Sequence, residues 1–301
     1  MQMKMLGKLI APLILLFAAP ACAQPAPAPA TVQDADPALW VVKDKDTTIY
    51  LFGTIHVLRP GLSWFDDGVK KAFDASKEVV LEIKAPDSAE MARLLLAVGI
   101  ARDGIPLEKR LPEEKRAAYT KALTDLGENA SIYSRFDPWL AASQITFLSL
   151  KKLGYDRANG PEETITKAAA ATGKQVSGLE TPAEQLGYFH ALPMPIQVKF
   201  LTDSLDELPK LNESISHMID GWSKGDPVSV AKLLNDDTAG SPELKKILVV
   251  DRNKRWAGWI NERMKQPGVV FIAVGAGHLA GADSVQEQLK PYRLKARRVK
   301  Y

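Results

Sequence analysis

Runs of apolar residues bounded by turn-forming residues predict the strands of this chain. Such runs occur at 39–42, 48–52, 78–83, 175–179, 269–274 and 294–299. The first two flank the polar segment 43–46, a pattern that is typical of a β-hairpin. Strands are therefore expected at both ends of the chain.

The long segment between these strands has a helical pattern. Residues 87–153 are mostly helical by the spacing of their apolar positions, with breaks where glycine or proline occurs. Further helices are expected at 162–172 and through most of 195–264. We therefore expect an α/β fold with a central mixed sheet completed by the C-terminal strands. The largely helical middle would form an insertion or cap over that sheet.

The N-terminal end has the form of a bacterial export signal. A lysine-containing start precedes an apolar stretch at 9–19, and Ala21-Cys22-Ala23 satisfies the small-x-small rule for cleavage. Residues 1–23 are thus expected to be a signal peptide, and the mature protein to be periplasmic. The alternative is a lipid-anchored protein acylated at Cys22, although Ala19-Pro20-Ala21 lacks the bulky aliphatic residue usual before such a cysteine.

The remaining chain is expected to form one domain behind a tether. Residues 24–36 alternate proline and alanine and have too little apolar surface to fold. No Gly/Ser/Pro linker interrupts residues 37–301, which predicts a single α/β domain. Loss of the signal would lower the basic residues from 39 to 37 against 36 acids, and the net charge from +3 to +1. The basic cluster at 290–300 is interleaved with apolar residues, which indicates an edge strand rather than a nucleic-acid partner.

Two copies of a Gly-x-x-His motif directly follow predicted strands. Gly53-Thr54-Ile55-His56 follows the run at 48–52, and Gly275-Ala276-Gly277-His278 follows the run at 269–274. A glycine at a strand's exit permits a tight turn or close backbone approach, and a histidine three residues later can project over the sheet edge. If the two strands lie side by side, His56 and His278 meet at one site.

Three further charged residues are candidates for the same site. Glu82 lies in a run otherwise suited to burial, so its carboxylate needs an ion pair, a hydrogen bond or a metal. An arginine or lysine partner is the alternative to a metal. Glu180 follows another predicted strand, where it could instead cap a helix beside Thr181. Arg252 precedes Trp256 by four residues, and its alternative is a solvated helix face.

These motifs occur in the order seen in the TraB/GumN family, which the chain resembles from about Trp40 to Val299. The resemblance rests on both Gly-x-x-His motifs, the strand with Glu82, the segment 178–186, and Arg252-Asn253 followed by Trp256. This family resembles the Tiki proteins of animals, which are membrane-tethered metal-dependent proteases, and more distantly erythromycin esterases and haem-binding iron-regulated lipoproteins. The resemblance implies an α/β hydrolase-like site built around the two histidine motifs, with a glutamate at Glu82 and an arginine at Arg252. Unlike Tiki, the chain shows no C-terminal transmembrane helix.

The chemistry of these side chains agrees with that expectation. Two imidazoles and one carboxylate, from His56, His278 and Glu82, form the ligand set of a catalytic divalent metal that keeps a position open for water. Mixed nitrogen and oxygen ligands suit Zn, Mn or Co. Glu180 is a candidate further ligand or general base, and Arg252 a candidate stabiliser of the oxyanion or of a substrate carboxylate.

The sequence therefore leads to two functional hypotheses. The first is a periplasmic metal-dependent hydrolase, for which the resemblance to Tiki implies a peptide or protein substrate. The second is a non-catalytic periplasmic protein or lipoprotein that uses the same histidines to bind a metal or haem. The two carboxylates Glu82 and Glu180 favour hydrolysis, because haem needs only axial ligands. The oligomeric state stays open.

Overall fold

The computed structural model describes residues 32–238 and 241–301. The predicted signal peptide, Cys22 and the predicted tether up to residue 31 therefore lie outside the described residues. Within the described ranges, every helix is too short or too polar to cross a membrane.

A six-stranded mixed sheet lies at the centre of the fold. The strands are β1 (Gln33–Asp34), β2 (Leu39–Lys43), β3 (Thr47–Thr54), β4 (Leu62–Ser63), β5 (Glu78–Ile83), β6 (Gln175–Glu180), β7 (Gly268–Gly275) and β8 (Arg297–Arg298). The order in the main sheet is β6-β5-β7-β3-β2-β8, and β1 pairs with β4 separately. The strands from β6 to β3 are parallel, whereas β2 is antiparallel to both β3 and β8. The predicted hairpin is thus confirmed as β2–β3, and β7 and β8 complete the sheet.

Helices fill most of the chain between β5 and β7, and one further α-helix precedes β5 and another follows β7. Within the described residues, the α-helices are α1 (Asp67–Ala75), α2 (Ser88–Val98), α3 (Leu107–Arg110), α4 (Glu113–Leu126), α5 (Ala130–Tyr133), α6 (Pro138–Lys152), α7 (Pro161–Ala171), α8 (Pro182–His190), α9 (Met194–Glu207), α10 (Leu211–Ser223), α11 (Pro227–Thr238), α12 (Pro242–Lys245), α13 (Asp251–Arg263) and α14 (Val285–Gln288). A π-helical segment, Lys246–Val250, joins α12 to α13. The predicted α/β class with a helical middle is confirmed.

Strand β7 is apolar along most of its length, without alternation, because both of its faces are covered. Phe271 and Ala273 belong to the core on one face of the sheet, whereas Val270, Ile272 and Val274 belong to the core on the other face. Successive side chains of a strand point to opposite faces, so a strand covered on both sides is apolar throughout. The central strand therefore lies deep in the molecule, and only its ends can reach a site.

Local capping fixes the start of the helix that follows β6. The Thr181 hydroxyl accepts a hydrogen bond from the Glu184 N–H at 3.2 Å, and the Thr181 N–H donates to the Glu184 carboxylate at 2.6 Å. Pro182 occupies the first position of α8, as the sequence predicts. Because Thr181 and Glu184 make this capping box, the neighbouring Glu180 carboxylate is left for other partners.

Two boundaries differ from the sequence-based expectation. Gln33–Asp34 pairs in parallel with Leu62–Ser63, and Ala35 is only 3% exposed, so packing begins before residue 37. At the other end, the strand expected at 294–299 shortens to Arg297–Arg298. The chain turns at Arg293, whose φ of 59° is left-handed, and this turn delays its return to the sheet edge.

Candidate functional site

The two Gly-x-x-His motifs lie side by side at the carboxyl ends of β3 and β7. These strands pair in parallel, with Gly53 opposite Val274 and Thr54 opposite Gly275. The expectation that the two strands are neighbours is therefore confirmed. A Cβ atom placed on Gly53 would lie 3.0 Å from the Cα of Ala276, so this glycine permits the two motifs to touch.

Gly275 is the point at which three predicted site residues converge. A Cβ atom placed on Gly275 would lie 3.0 Å from Glu82 Oε1, 3.6 Å from His56 Nε2 and 3.7 Å from His278 Cδ2. The Gly275 N–H also donates to Glu82 Oε1 at 2.6 Å. The three side chains thus surround one point, and each residue is only 6% exposed.

His56 is oriented by a carboxylate that the sequence analysis did not assign. Its Nδ1 lies 2.5 Å from Glu162 Oε1, which also accepts a hydrogen bond from the Thr54 hydroxyl at 2.5 Å. An ionised carboxylate only accepts, so Nδ1 carries the proton and Nε2 is left facing Gly275. Burial alone would lower the pKa of His56, but the Glu162 charge and hydrogen bond raise it above its ordinary value.

His278 is held by an amide in the corresponding way. The Asn253 amide nitrogen donates to the main-chain oxygens of His278 and Asp283, so its Oδ1 faces His278 Nδ1 at 2.6 Å as the acceptor. The Nε2 of His278 therefore carries the lone pair, and it accepts from Arg252 Nη1 at 3.0 Å. Burial, and then the Arg252 charge, lower the pKa of His278 to about 3, which keeps the imidazole neutral.

Arg252 links the two predicted carboxylates. Its Nη2 donates to Glu82 Oε2 at 2.9 Å and to Glu180 Oε2 at 2.8 Å. The alternative of a solvated helix face is wrong, because Arg252 is 1% exposed. For Glu82, the structure contains the arginine partner that was the alternative to a metal. Burial alone would raise the pKa of Glu82, but Arg252 and then His278 and His56 lower it to about 2.

Glu180 contacts Arg252 rather than the histidines. Both of its oxygens accept from Arg252 Nε, at 3.0 and 3.1 Å, and Oε1 also accepts from Trp256 Nε1 at 3.1 Å. The predicted alternative of helix capping is not seen, since Thr181 and Glu184 form the capping box. Glu180 therefore holds the Arg252 guanidinium in place.

An open cleft of about 640 Å³ leads from the surface to His56, Glu82 and Glu162. The other lining residues come from β5 and the segment that follows it, from α2, α6 and α7, from the segment between α6 and α7, and from the start of β6. A substrate group entering by this cleft would meet His56 and Glu82 together.

Sequence reasoning missed Glu162 and gave Asn253 no role. Glu162 and Glu163 both stand in the first turn of α7, where acids are favoured by the helix dipole, and nothing in the sequence separates them. Asn253 lies in a strongly polar stretch, Asp251-Arg252-Asn253-Lys254-Arg255, yet it is completely buried. Only the docking of α13 against the sheet shows which of these polar residues face inward.

The donor atoms of the site fit the chemistry of a divalent metal but are not arranged around one. Among residues 32–238 and 241–301, no group of three or more His, Cys, Asp or Glu side chains is arranged to hold a metal ion. The donor chemistry nevertheless fits, because His56 and His278 each have Nδ1 engaged by an outer acceptor, as metal-binding histidines do. The difference from a metal site is Arg252, which hydrogen-bonds to two of the expected ligands, His278 Nε2 and Glu82. A metal would have to displace these contacts.

Comparisons with known proteins identify the family. The TraB/PrgY/gumN family model matches residues 38–297, so the chain belongs to this family. An uncharacterized protein of Treponema pallidum (strain Nichols) is 20% identical over 284 residues, which cover 88% of this chain and 84% of the relative. The uncharacterized protein YbaP of Escherichia coli (strain K12) is 26% identical over 187 residues, which cover 61% and 68%. No solved structure matches the chain. The predicted family is thus confirmed, and these relatives carry no assigned activity.

Proposed function

We propose that this protein is a periplasmic, divalent-metal-dependent hydrolase that acts on peptides. The observation that carries the proposal is the convergence of His56 and His278 on the buried Glu82 carboxylate, where His56 and Glu82 also line an open cleft. A buried site with two imidazoles and one carboxylate matches the ligand chemistry of catalytic metal centres.

His56 Nε2, His278 Nε2 and Glu82 would hold the metal, which when bound supplies an activated water and polarises a carbonyl group. Glu162 keeps the proton of His56 on Nδ1, and Asn253 does the same for His278. Both partners thereby direct each Nε2 towards the site, where Arg252 would have to be displaced from that of His278 before a metal could bind. All three ligand residues are buried, and the lower dielectric around them strengthens electrostatic interactions within the site.

Arg252 and Glu180 act together in this proposal. The Arg252 guanidinium lies beside His278 Nε2 and Glu82, where it can stabilise negative charge that develops on a substrate carbonyl oxygen. Glu180 is assigned to positioning Arg252, because its carboxylate accepts from Arg252 and from Trp256. The general-base role considered from the sequence is not part of the proposal, because no Glu180 contact with either histidine is present in the described structure.

Metal loading and cleavage together test this function. The purified protein is stripped with a chelator, reloaded with Zn, Mn or Co in turn, and assayed for bound metal and for cleavage of a peptide library. We expect one metal per chain, cleavage that a chelator abolishes, and loss of both in His56→Asn and His278→Asn. His217→Asn is the matched control, since His217 is exposed and does not line the cleft.

Two outcomes would redirect the proposal. Stoichiometric binding of a metal or of haem, without hydrolysis of any peptide, would favour the alternative of a non-catalytic binding protein. Metal binding that persists unchanged in both histidine variants would remove the metal from this site altogether.

The proposed location has its own test. Cleavage after Ala23 would give a mature protein beginning at Gln24 in the periplasmic fraction, which intact-mass measurement detects. A diacylated Cys22 would instead identify a lipid-anchored protein.

A further inference from the structure

The cleft that ends at His56 has an apolar floor. Leu81 and Ile83 from β5 and Phe147 from α6 are buried residues that line it. The wall formed by α7 presents Thr166 and Ala170, which are four residues apart and so lie on one face of that helix. Ala170 has a small side chain, and the volume of the cleft, about 640 Å³, is enough for a large apolar side chain.

The acidic groups of the cleft have cations close to them. Glu82 pairs with Arg252, and Glu162 pairs with His56. On the outer wall, Glu163 pairs with Lys167 at 3.1 Å, and Asp156 lies within the electrostatic influence of Arg157. These acids are therefore compensated by neighbours.

Three lysines of the lining are not compensated in this way. Lys84 and Lys151 are exposed at the rim, and in the described part of the chain neither donates to a carboxylate. Lys174 donates to the main-chain oxygens of Asp74 and Ser76, contacts that leave its positive charge in place. The rim of the cleft is therefore positively charged, above an apolar floor.

We infer that this cleft binds an acidic peptide segment, with a large apolar side chain over Leu81, Ile83 and Phe147 and a carboxylate at Lys84 and Lys151. The inference deepens the proposed function and rests on it for the claim that the bound peptide is cleaved. Charge attraction at the rim steers such a segment towards the cleft, whereas a basic segment is repelled. Burial of the apolar side chain at the floor supplies the main binding free energy.

Binding in the absence of turnover tests the inference. A fluorescein-labelled octapeptide with a central Phe-Leu flanked by glutamates is titrated with chelator-treated protein, and its dissociation constant is measured by fluorescence anisotropy. The same peptide is prepared with lysines in place of the glutamates, and with Ser-Ser in place of Phe-Leu. We expect the glutamate peptide to bind roughly tenfold more tightly than the lysine peptide, because the lysines at the rim attract glutamates and repel lysines. The Ser-Ser peptide should also bind more weakly.

Charge reversal in the protein supplies the matched control. The double variant Lys84→Glu/Lys151→Glu should bind the lysine peptide better than the glutamate peptide. Lys152→Glu makes the same change one residue along α6, outside the lining, and should leave the preference unchanged. Equal binding of both charged peptides, no binding of any peptide, or an equal effect of Lys152→Glu would overturn the inference. Tight binding of the glutamate peptide without cleavage under any metal would instead sink the proposed hydrolase and leave the cleft assignment standing.

Discussion

The Nη1 of Arg252 lies 3.0 Å from the Nε2 of His278, so the imidazole lone pair that faces the site already accepts a hydrogen bond. The same guanidinium donates to Glu82. A permanently charged side chain thus occupies the contacts that a divalent cation would use. In the metal-free protein, Arg252 acts as the internal cation that makes burial of Glu82 and Glu180 possible.

Replacing Arg252 by methionine should destabilise the metal-free protein by roughly 3–5 kcal/mol, because two buried carboxylates lose their shared partner. Urea unfolding in the presence of a chelator measures this loss. Added Zn should restore part of the stability, since the substitution frees His278 Nε2 and leaves Glu82 available as a ligand.

Arg255→Met is the matched control for this substitution. The Arg255 side chain lies on the same helix and is 49% exposed, and its contact with Glu180 is longer, at 3.4 Å. Its removal should change the stability by no more than about 1 kcal/mol. Equal losses in the two variants would contradict the assignment of Arg252 as the buried counter-ion.

Glu162→Gln should weaken metal binding by about 10- to 100-fold, the scale seen when an outer partner of a metal-binding histidine is altered. The amide can still accept from His56 Nδ1, so the fold should persist while the negative charge is lost. Competition with a chromophoric chelator measures the affinity, and ¹⁵N NMR of His56 reports its tautomer.

Glu163→Gln is the matched control, because Glu163 is the neighbouring acid, is exposed and pairs with Lys167. It should leave the metal affinity and the tautomer of His56 unchanged. Unaltered metal affinity and tautomer in Glu162→Gln would show that Glu162 does not position His56.

The convergence of the two histidine motifs was predictable because it depends on local signals. Gly53 and Gly275 each end an apolar run, and parallel neighbours bring such ends to one edge of the sheet. The roles of Glu162 and Asn253 depend instead on which face of α7 and α13 packs inward. Tertiary contacts with the sheet determine which face packs inward. The polar sequence around Asn253 therefore predicts a solvated surface, although the Asn253 amide is buried.

The fold also has some features that local sequence signals predict and others that depend on tertiary contacts. The hairpin of β2 and β3 follows from apolar runs around a polar turn, which act over a few residues. The pairing of Gln33–Asp34 with Leu62–Ser63 joins two-residue segments that are too short to have a periodicity of their own. Such pairings are stabilised by the surrounding packing and leave no pattern in the sequence.

Gly275→Ala should lower the stability by about 1–3 kcal/mol and weaken metal binding, because the new Cβ would lie 3.0 Å from Glu82 Oε1 in a packed site. The φ of Gly275 is −49°, which any residue can adopt, so the effect would come from crowding alone. Urea unfolding and metal titration measure the two effects.

Gly187→Ala provides the comparison, since a Cβ at that helical position would meet no atom within 4 Å. That substitution should be neutral or stabilise the protein by up to about 1 kcal/mol. If Gly275→Ala behaved like Gly187→Ala, the convergence of side chains at Gly275 would be disproved.

The neutral His278 predicts that the metal-free protein loses stability as the pH falls below neutrality. Its pKa is about 3 in the folded state, because of burial and then the Arg252 charge, against an ordinary value of 6.5. Between these two values the unfolded chain binds a proton that the folded chain does not, so the free energy of unfolding decreases with falling pH. The slope should reach at most about 1.4 kcal/mol per pH unit for this one group.

Urea unfolding in chelator between about pH 5 and 6.5 isolates this effect, since the shift of Glu82 from 4.5 to about 2 acts at lower pH. His56 has a raised pKa, so its contribution is present at low pH and is lost as the pH rises above 6.5. His278→Asn should therefore flatten the slope in this window, whereas His217→Asn, which removes an exposed imidazole, should leave it unchanged. An unaltered slope in His278→Asn would mean that His278 is protonated in the folded protein, and its Nε2 could then neither accept from Arg252 nor bind a metal.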